Sequence, residues 1–292
     1  MAFKTLLQHQ HRPVLVRARP RARLHQPTRR AVLASAASAA AAGLATRTAS
    51  AQPAPAALTV AAASDLRYAL AELLQILQAQ QPGSAVEAVY GSSGKLSTQL
   101  LHGAPFDLFF SADRAYAQPL FEAGLSTQAP SVYAVGRLVV ASRDPALARL
   151  PLEPLIRHPA LKRFAIANPE HAPYGQRARQ VLQKQGLWVA VTSRLVLGDN
   201  VTQAAQFIHS GAAQAGIVAR SLVMAPALQG RLAWADIAAD GHDPLEQTWV
   251  LMKRASKPAQ LLAAQLLDLL QSAPGRALMQ RHGFEAPKAA PR

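Results

Sequence analysis

Two stretches, Leu58-Thr-Val-Ala-Ala-Ala-Ser64-Asp-Leu66 and Tyr90-Gly-Ser-Ser93-Gly-Lys-Leu96, decide how this chain folds. Each is a run of apolar or small residues that ends in serine and opens an amphipathic stretch. Thr59, Val60 and three alanines have the length and composition of a short buried strand. Beyond Ser64, Leu66, Leu70, Leu73 and Leu77 recur at near-helical spacing, so a helix begins at or just past the serine. A helix start leaves backbone N–H groups without intrahelical partners, and its dipole favours negative charge. Two such starts bearing hydroxyls, side by side on one sheet edge, predict a compact oxyanion site. Taken alone, each serine reads first as no more than a cap of its helix.

Working outward, short apolar runs alternate with helical patterns, the signature of α/β layers. Strands are expected at 59–63, 85–89, 108–111, 137–142, 164–167, 215–218, 232–234 and 248–252. Helices are expected at 65–80, 94–102, 114–122, 174–186, 201–210, 258–271 and 274–282. Gly283 followed by Phe284 reads as a C-cap with an apolar contact back onto the last helix. No internal repeat is found.

The N-terminal segment reads as a separate piece. Residues 1–51 hold nine Lys and Arg and no acidic residue. Thr28-Arg29-Arg30-Ala31-Val32-Leu33 leads into an alanine-rich stretch, and Ala49-Ser50-Ala51 fits a small-x-small cleavage site. Basic, apolar, small is the order of a cleaved export signal, and the paired arginines suggest the twin-arginine route. The whole chain has 31 basic and 16 acidic residues, net +15. Without the leader, 22 basic residues face 16 acidic ones, net +6 over 52–292. That mild excess does not call for nucleic acid, although it would draw a small anion to a cleft. Cysteine is absent, which excludes disulfides, thiolate chemistry and a cysteine-linked lipid anchor. The six histidines after the leader are scattered, without a metal-site or acid–base pattern.

A larger ordered set of motifs carries a family resemblance. Ala-Ala-Ala-Ser64-Asp, Gly-Ser-Ser93-Gly-Lys-Leu and Gly103-Ala-Pro-Phe-Asp107-Leu-Phe-Phe-Ser-Ala112-Asp113 come first. Asn168-Pro-Glu-His-Ala-Pro-Tyr174-Gly175 and Gly198-Asp-Asn-Val201-Thr-Gln-Ala-Ala follow. Together they resemble the periplasmic molybdate-binding proteins of ABC transporters, of the type II periplasmic solute-binding family, from about Leu58 to Phe284. The resemblance implies an α/β, two-lobed periplasmic-binding-protein fold. Two α/β domains are joined by two crossover segments, with the ligand cleft between them. Residues 52–136 and 248–292 would form the first domain and 137–247 the second. The crossings are expected near 137–142 and 247–252, in strand-like segments without Gly or Pro.

The resemblance also implies a site and a role. Ser64 and Ser93 would each give a hydroxyl and a main-chain N–H to molybdate or tungstate, and Tyr174 and Val201 main-chain N–H groups. The ligation is of the oxyanion, not of the metal directly. Gly198-Asp199-Asn200 ahead of an amphipathic run supports the last assignment independently, since it puts Val201 in a helix's first turn. Two positions depart from the family pattern. Ala219 follows Gly216-Ile-Val218 where a ligand-binding tyrosine is common, and Tyr174 stands where alanine is frequent. The Tyr174 hydroxyl could take over that contact. Asp65, whose carboxylate would repel an oxyanion, is expected to point away from it. Lys95 is expected to be solvated and His171 to brace its own loop. The implied protein is a monomeric periplasmic carrier, without cofactor, that serves ABC permease subunits in the inner membrane. A sulfate- or phosphate-type binder is the alternative, and an enzyme on a similar scaffold lacks a visible nucleophile–base set.

Overall fold

The structure, a computed structural model, describes residues 57–287. The expected export signal lies outside the described residues. Two five-stranded sheets carry the fold. The first contains β1 (Ala57–Ala63), β2 (Ala85–Gly91), β3 (Leu108–Ser111) and β4 (Ser131–Gly136). The second contains β5 (Leu138–Ser142), β6 (Phe164–Ala167), β7 (Leu195–Gly198), β8 (Ala215–Ala219) and β9 (Ala233–Asp236). The last strand, β10 (Leu245–Leu251), returns to the first sheet. The strand orders are β2-β1-β3-β10-β4 and β7-β6-β8-β5-β9.

Helices cover both faces of each sheet. After a 3₁₀ turn at Ser64–Leu66 come α1 (Arg67–Gln80), α2 (Ser93–Leu101) and α3 (Arg114–Glu122). The second lobe holds α4 (Pro145–Ala148), α5 (Leu152–Arg157), α6 (Pro173–Lys184), α7 (Trp188–Thr192), α8 (Val201–Ser210) and α9 (Arg220–Val223). The chain closes with α10 (Lys257–Gln271) and α11 (Ala273–Arg281) on the first lobe.

The period-2 alternation of strands divides the first lobe's core in two. Val60, Ala62, Leu108 and Phe110 pack with Leu70, Leu73, Leu77, Leu262 and Leu266 on one face. Ala61 and Phe109 pack with Leu96, Leu100, Leu120 and Val250 on the other. In the second lobe β5, β6 and β8 are buried along their whole length, the pattern of central strands covered on both sides. Gly283 has φ 82° and Phe284 is buried, its N–H donating to Met279 O at 3.0 Å, as the C-cap reading expects.

The passages between lobes differ from the expected ones. The strands at 138–142 and 245–251 each belong to one sheet throughout. The chain crosses instead at Gly136–Arg137 and through 237–244, so both crossings do contain glycine or proline. The second change of sheet falls slightly ahead of the expected 247/248 division. The cause is that an apolar run shows a strand but not its pairing partner. Residues 132–141 are nearly continuous apolar sequence, yet they form two strands in two sheets, parted at Arg137.

Candidate functional site

β1 runs parallel to β2 and β3, and β6 runs parallel to β7 and β8. In such sheets ligands bind outside the carboxyl ends of the strands. Here both sets of carboxyl ends open on one small cavity with an empty volume of ≈ 180 Å³. Ser64, Asp65, Ser92, Ser93 and Ala112 line it from the first lobe, and Pro173, Tyr174 and Val201 from the second. All four sequence-predicted ligand residues therefore meet at one place. A roomier groove of ≈ 750 Å³ passes Lys95, Tyr116 and His171 at the outer rim. It is open to solvent, with Lys95, Thr98, Gln99 and Glu170 exposed on its wall, and its buried hydroxyl, that of Ser97, already donates to Tyr116 O.

Helix starts surround the cavity. Ser93 opens α2, Tyr174 is the second residue of α6, and Val201 opens α8. First-turn N–H groups lie beyond the reach of any intrahelical carbonyl, so these backbones offer donors to the cavity. Asn200 caps α8, its Oδ1 accepting from Gln203 N–H at 3.1 Å, which leaves the Val201 N–H to the cavity. Pro173 fits the first position of α6, where its missing N–H removes nothing.

Neither serine acts as a simple cap. Ser93 Oγ accepts from Ala112 N–H at 2.9 Å, and Ser64 Oγ accepts from Thr202 N–H at a long 3.5 Å. A hydroxyl that accepts from an amide keeps its own proton to donate. Both serines are buried, so such a donation is made away from bulk water. The cavity thus presents the Ser64 and Ser93 hydroxyl protons and several amides, and among the described residues no lysine or arginine lines it.

Asp65 is the one carboxylate on the wall. Its Oδ2 accepts from the Tyr174 hydroxyl at 2.9 Å, while Oδ1 is buried without a partner. Burial pushes the carboxyl up to about 6, against the pull of the Tyr174 hydrogen bond. Burial, with the Asp65 charge second, holds the Tyr174 phenol well above its ordinary range. The phenol therefore donates its hydrogen bond to Asp65 in this structure, a partner the sequence did not show. The physical reason is that a buried carboxylate without a cation competes strongly for the nearest hydroxyl.

The lobes touch around the cavity. Thr202 Oγ1 donates to Ser64 O at 3.0 Å and Gly94 N–H to His171 O at 3.0 Å. A Cβ on Gly94 would sit 3.0 Å from the His171 Cα and closer still to its carbonyl oxygen, so only glycine allows this approach. Arg177 pairs with Asp113 in a largely buried contact. There, burial raises the Asp113 carboxyl and the guanidinium opposes that rise.

Two minor expectations are corrected. Lys95 is not simply solvated: it pairs across the cleft with Asp199, both side chains being about half exposed. His171 does more than brace its loop, since its Nδ1 lies 3.0 Å from Ser92 Oγ on the other lobe. This serine–histidine contact was not visible in the sequence, where the two are 79 positions apart. The ring's other nitrogen is 3.9 Å from Asp199, too far for a hydrogen bond, and that carboxylate is engaged by Lys95. The ring is thus not oriented as a general base would need. Among the described residues, no group of three or more His, Cys, Asp or Glu is arranged to hold a metal ion.

Comparison with known proteins agrees with this geometry. A family model described as bacterial extracellular solute-binding protein matches residues 58–285. The molybdate-binding protein ModA of Rhodobacter capsulatus is 34% identical over 206 residues, covering 70% of this chain and 79% of that relative. ModA of Azotobacter vinelandii is 32% identical over 232 residues, covering 78% of this chain and 90% of that relative. Among solved structures, the Azotobacter vinelandii periplasmic molybdate-binding protein superposes with a TM-score of 0.72 at 30% identity. That match covers 79% of this chain and all of the other.

Proposed function

The chain belongs to the bacterial extracellular solute-binding proteins, and from that premise we propose that it captures molybdate in the periplasm for an ABC importer. The observation that carries the reading is the cavity itself. Buried hydroxyls and helix-start amides from two lobes converge where no cationic side chain stands. A fully deprotonated oxyanion needs donors at every oxygen and no acceptor, and hydrogen bonds to an ion contribute about 1.5–3 kcal/mol each. Ser64 and Ser93 serve by hydroxyl and backbone, Tyr174 and Val201 by backbone. Hydrogen phosphate would also need an acceptor for its proton. The one carboxylate at hand holds the Tyr174 hydroxyl through Oδ2 and keeps Oδ1 without a partner, so the preference over phosphate rests on the relatives, whose named ligand is molybdate. The relatives at 34% and 32% identity favour it over sulfate.

Closure of the lobes over the anion makes the surface that the permease recognises. Tungstate, an oxyanion of the same form, is read as a second ligand. The protein acts as a monomer and as a carrier rather than an enzyme: the Ser64 and Ser93 hydroxyls have amide partners, and the His171 ring beside Ser92 has no hydrogen-bonded carboxylate to orient it. The basic leader is a twin-arginine export signal, cleaved ahead of Gln52. Calorimetric titration of the mature protein with molybdate, tungstate, sulfate and phosphate tests the central reading. Molybdate and tungstate should bind tightest, and tighter binding of phosphate or sulfate would overturn the assignment.

A further inference from the structure

The Tyr174 side chain reaches across to the first lobe. Its hydroxyl donates to Asp65 Oδ2 at 2.9 Å, and Gln247 Nε2 stands 3.5 Å from the same oxygen. Tyr133 in turn lies 3.5 Å from Gln247 Oε1. Asp65 belongs to the first lobe, Tyr174 to the second, and Tyr133 and Gln247 to the paired strands β4 and β10 beside the two crossings. Gly136 ends β4 at the first crossing, and a Cβ there would overlap the Tyr174 hydroxyl and come within 2.8 Å of Gln247 Nε2. The phenol is therefore seated on the hinge itself, in a place that any side chain at 136 would fill.

Asp65 is held from both sides. Its backbone carbonyl accepts from Ser221 Oγ of the second lobe at 2.9 Å, and its side chain is 2% exposed with no cation paired to it. A phenol has one proton, and given to Asp65 it is not available to an anion. Yet both residues line the cavity, and Tyr174 stands in the first turn of α6, where its N–H has no intrahelical partner.

Resting on the anion-carrier reading, we propose that Asp65 is a positioning residue of the site. Its carboxyl receives the Tyr174 hydroxyl only when the lobes meet, and this clasp sets the backbones of Ser64 and Tyr174 at the spacing that encloses the anion. Tyr174 thus acts twice, by its amide on the ligand and by its hydroxyl on the opposite lobe. The clasp makes closure part of binding, because the hydrogen bond joins elements that separate when the cleft opens.

A double-mutant cycle read by molybdate calorimetry tests this, with thermal melts of each variant to establish folding. Tyr174→Phe and Asp65→Ala should each weaken binding about tenfold or more. The double variant should be no weaker than the weaker-binding single, because both remove one interaction. Asp65→Asn keeps an acceptor for the phenol and should bind within about threefold of wild type, a rescue that mere packing does not predict. Losses that multiply in the double variant would overturn the clasp and give the hydroxyl to the ligand. An Asp65→Asn variant as weak as Asp65→Ala would overturn it too. If wild type binds sulfate but not molybdate, the ligand assignment fails alone, and the cycle run with sulfate decides the clasp by the same criteria. Binding of no anion overturns both.

Discussion

On the proposed reading, the two walls of the cavity do the same work with different parts of the chain. The first lobe brings side chains, the hydroxyls of Ser64 and Ser93, each at the junction of a strand and a helix start. The second brings main chain, from Tyr174 and Val201, and turns the hydroxyl it does own onto Asp65. A wall of hydroxyls is vulnerable at single residues. A wall of amides is vulnerable only through whatever holds the backbone in place.

Ser93→Ala should do the most damage, and it breaks the comparison if it does not. It removes a donor to the anion, about 1.5–3 kcal/mol or ten- to over a hundredfold in affinity. It also strands the buried Ala112 N–H, which now bonds Ser93 Oγ at 2.9 Å, so the unliganded protein should melt lower as well. Ser64→Ala should lose a similar donor but leave the unliganded melt nearly unchanged, since the 3.5 Å contact from Thr202 N–H is weak. Calorimetry paired with melts separates the two serines.

Asp65 sharpens the contrast through pH. Burial pushes its carboxyl up to about 6 from the ordinary 3.8, and the side chains facing it are the phenols of Tyr174 and Tyr133 and the amide of Gln247, with no cation among the described residues. The native state therefore binds the proton more tightly than the unfolded chain does. Stability contributed by this group is full below pH 4 and is lost as pH rises through about 6. Asp65→Asn, which cannot ionise, should thus be more stable than wild type at pH 7.5, by about 1–3 kcal/mol, with the gain shrinking toward pH 4.5. Urea unfolding at several pH values measures it, and a gain independent of pH would mean the carboxyl is not strained by burial. The smallest effect belongs to the amide wall. Val201→Ala should change molybdate affinity by no more than about twofold while lowering stability by about 1–2 kcal/mol through lost buried methyls. A loss of affinity like that of Ser64→Ala would erase the distinction between the walls.

The same contrast explains what could be read from the sequence. Ser64, Ser93 and Val201 were legible because each stands at a strand–helix junction marked by local composition. The central strands β1, β3, β6 and β8 were legible as short, fully apolar runs. β7 was missed because it is a four-residue edge strand, half exposed, whose pattern is too short to have a period. β4 was missed because its apolar residues merge with those of β5 across Gly136. The family resemblance supplied Tyr174 but not the target of its hydroxyl. That depends on Asp65, 109 positions earlier, and such long-range polar pairing leaves no local mark. The rim contacts Ser92–His171 and Lys95–Asp199 were hidden for the same reason.

One feature of the topology bears on how the molecule is made. β10 lies between β3 and β4, pairing antiparallel with both, although it is the last strand of the chain. Every strand of the second sheet has been synthesised by Asp236, so that lobe can complete its pairing first. The first sheet must keep two open edges, at β3 and β4, until residues 245–251 arrive. Long-range pairing of this kind is slow, and unpaired edges invite association with other chains. A polypeptide ending ahead of Leu245 would have all four residues proposed to hold the oxyanion and yet carry a permanently unzipped sheet, a target for proteases rather than a weaker carrier.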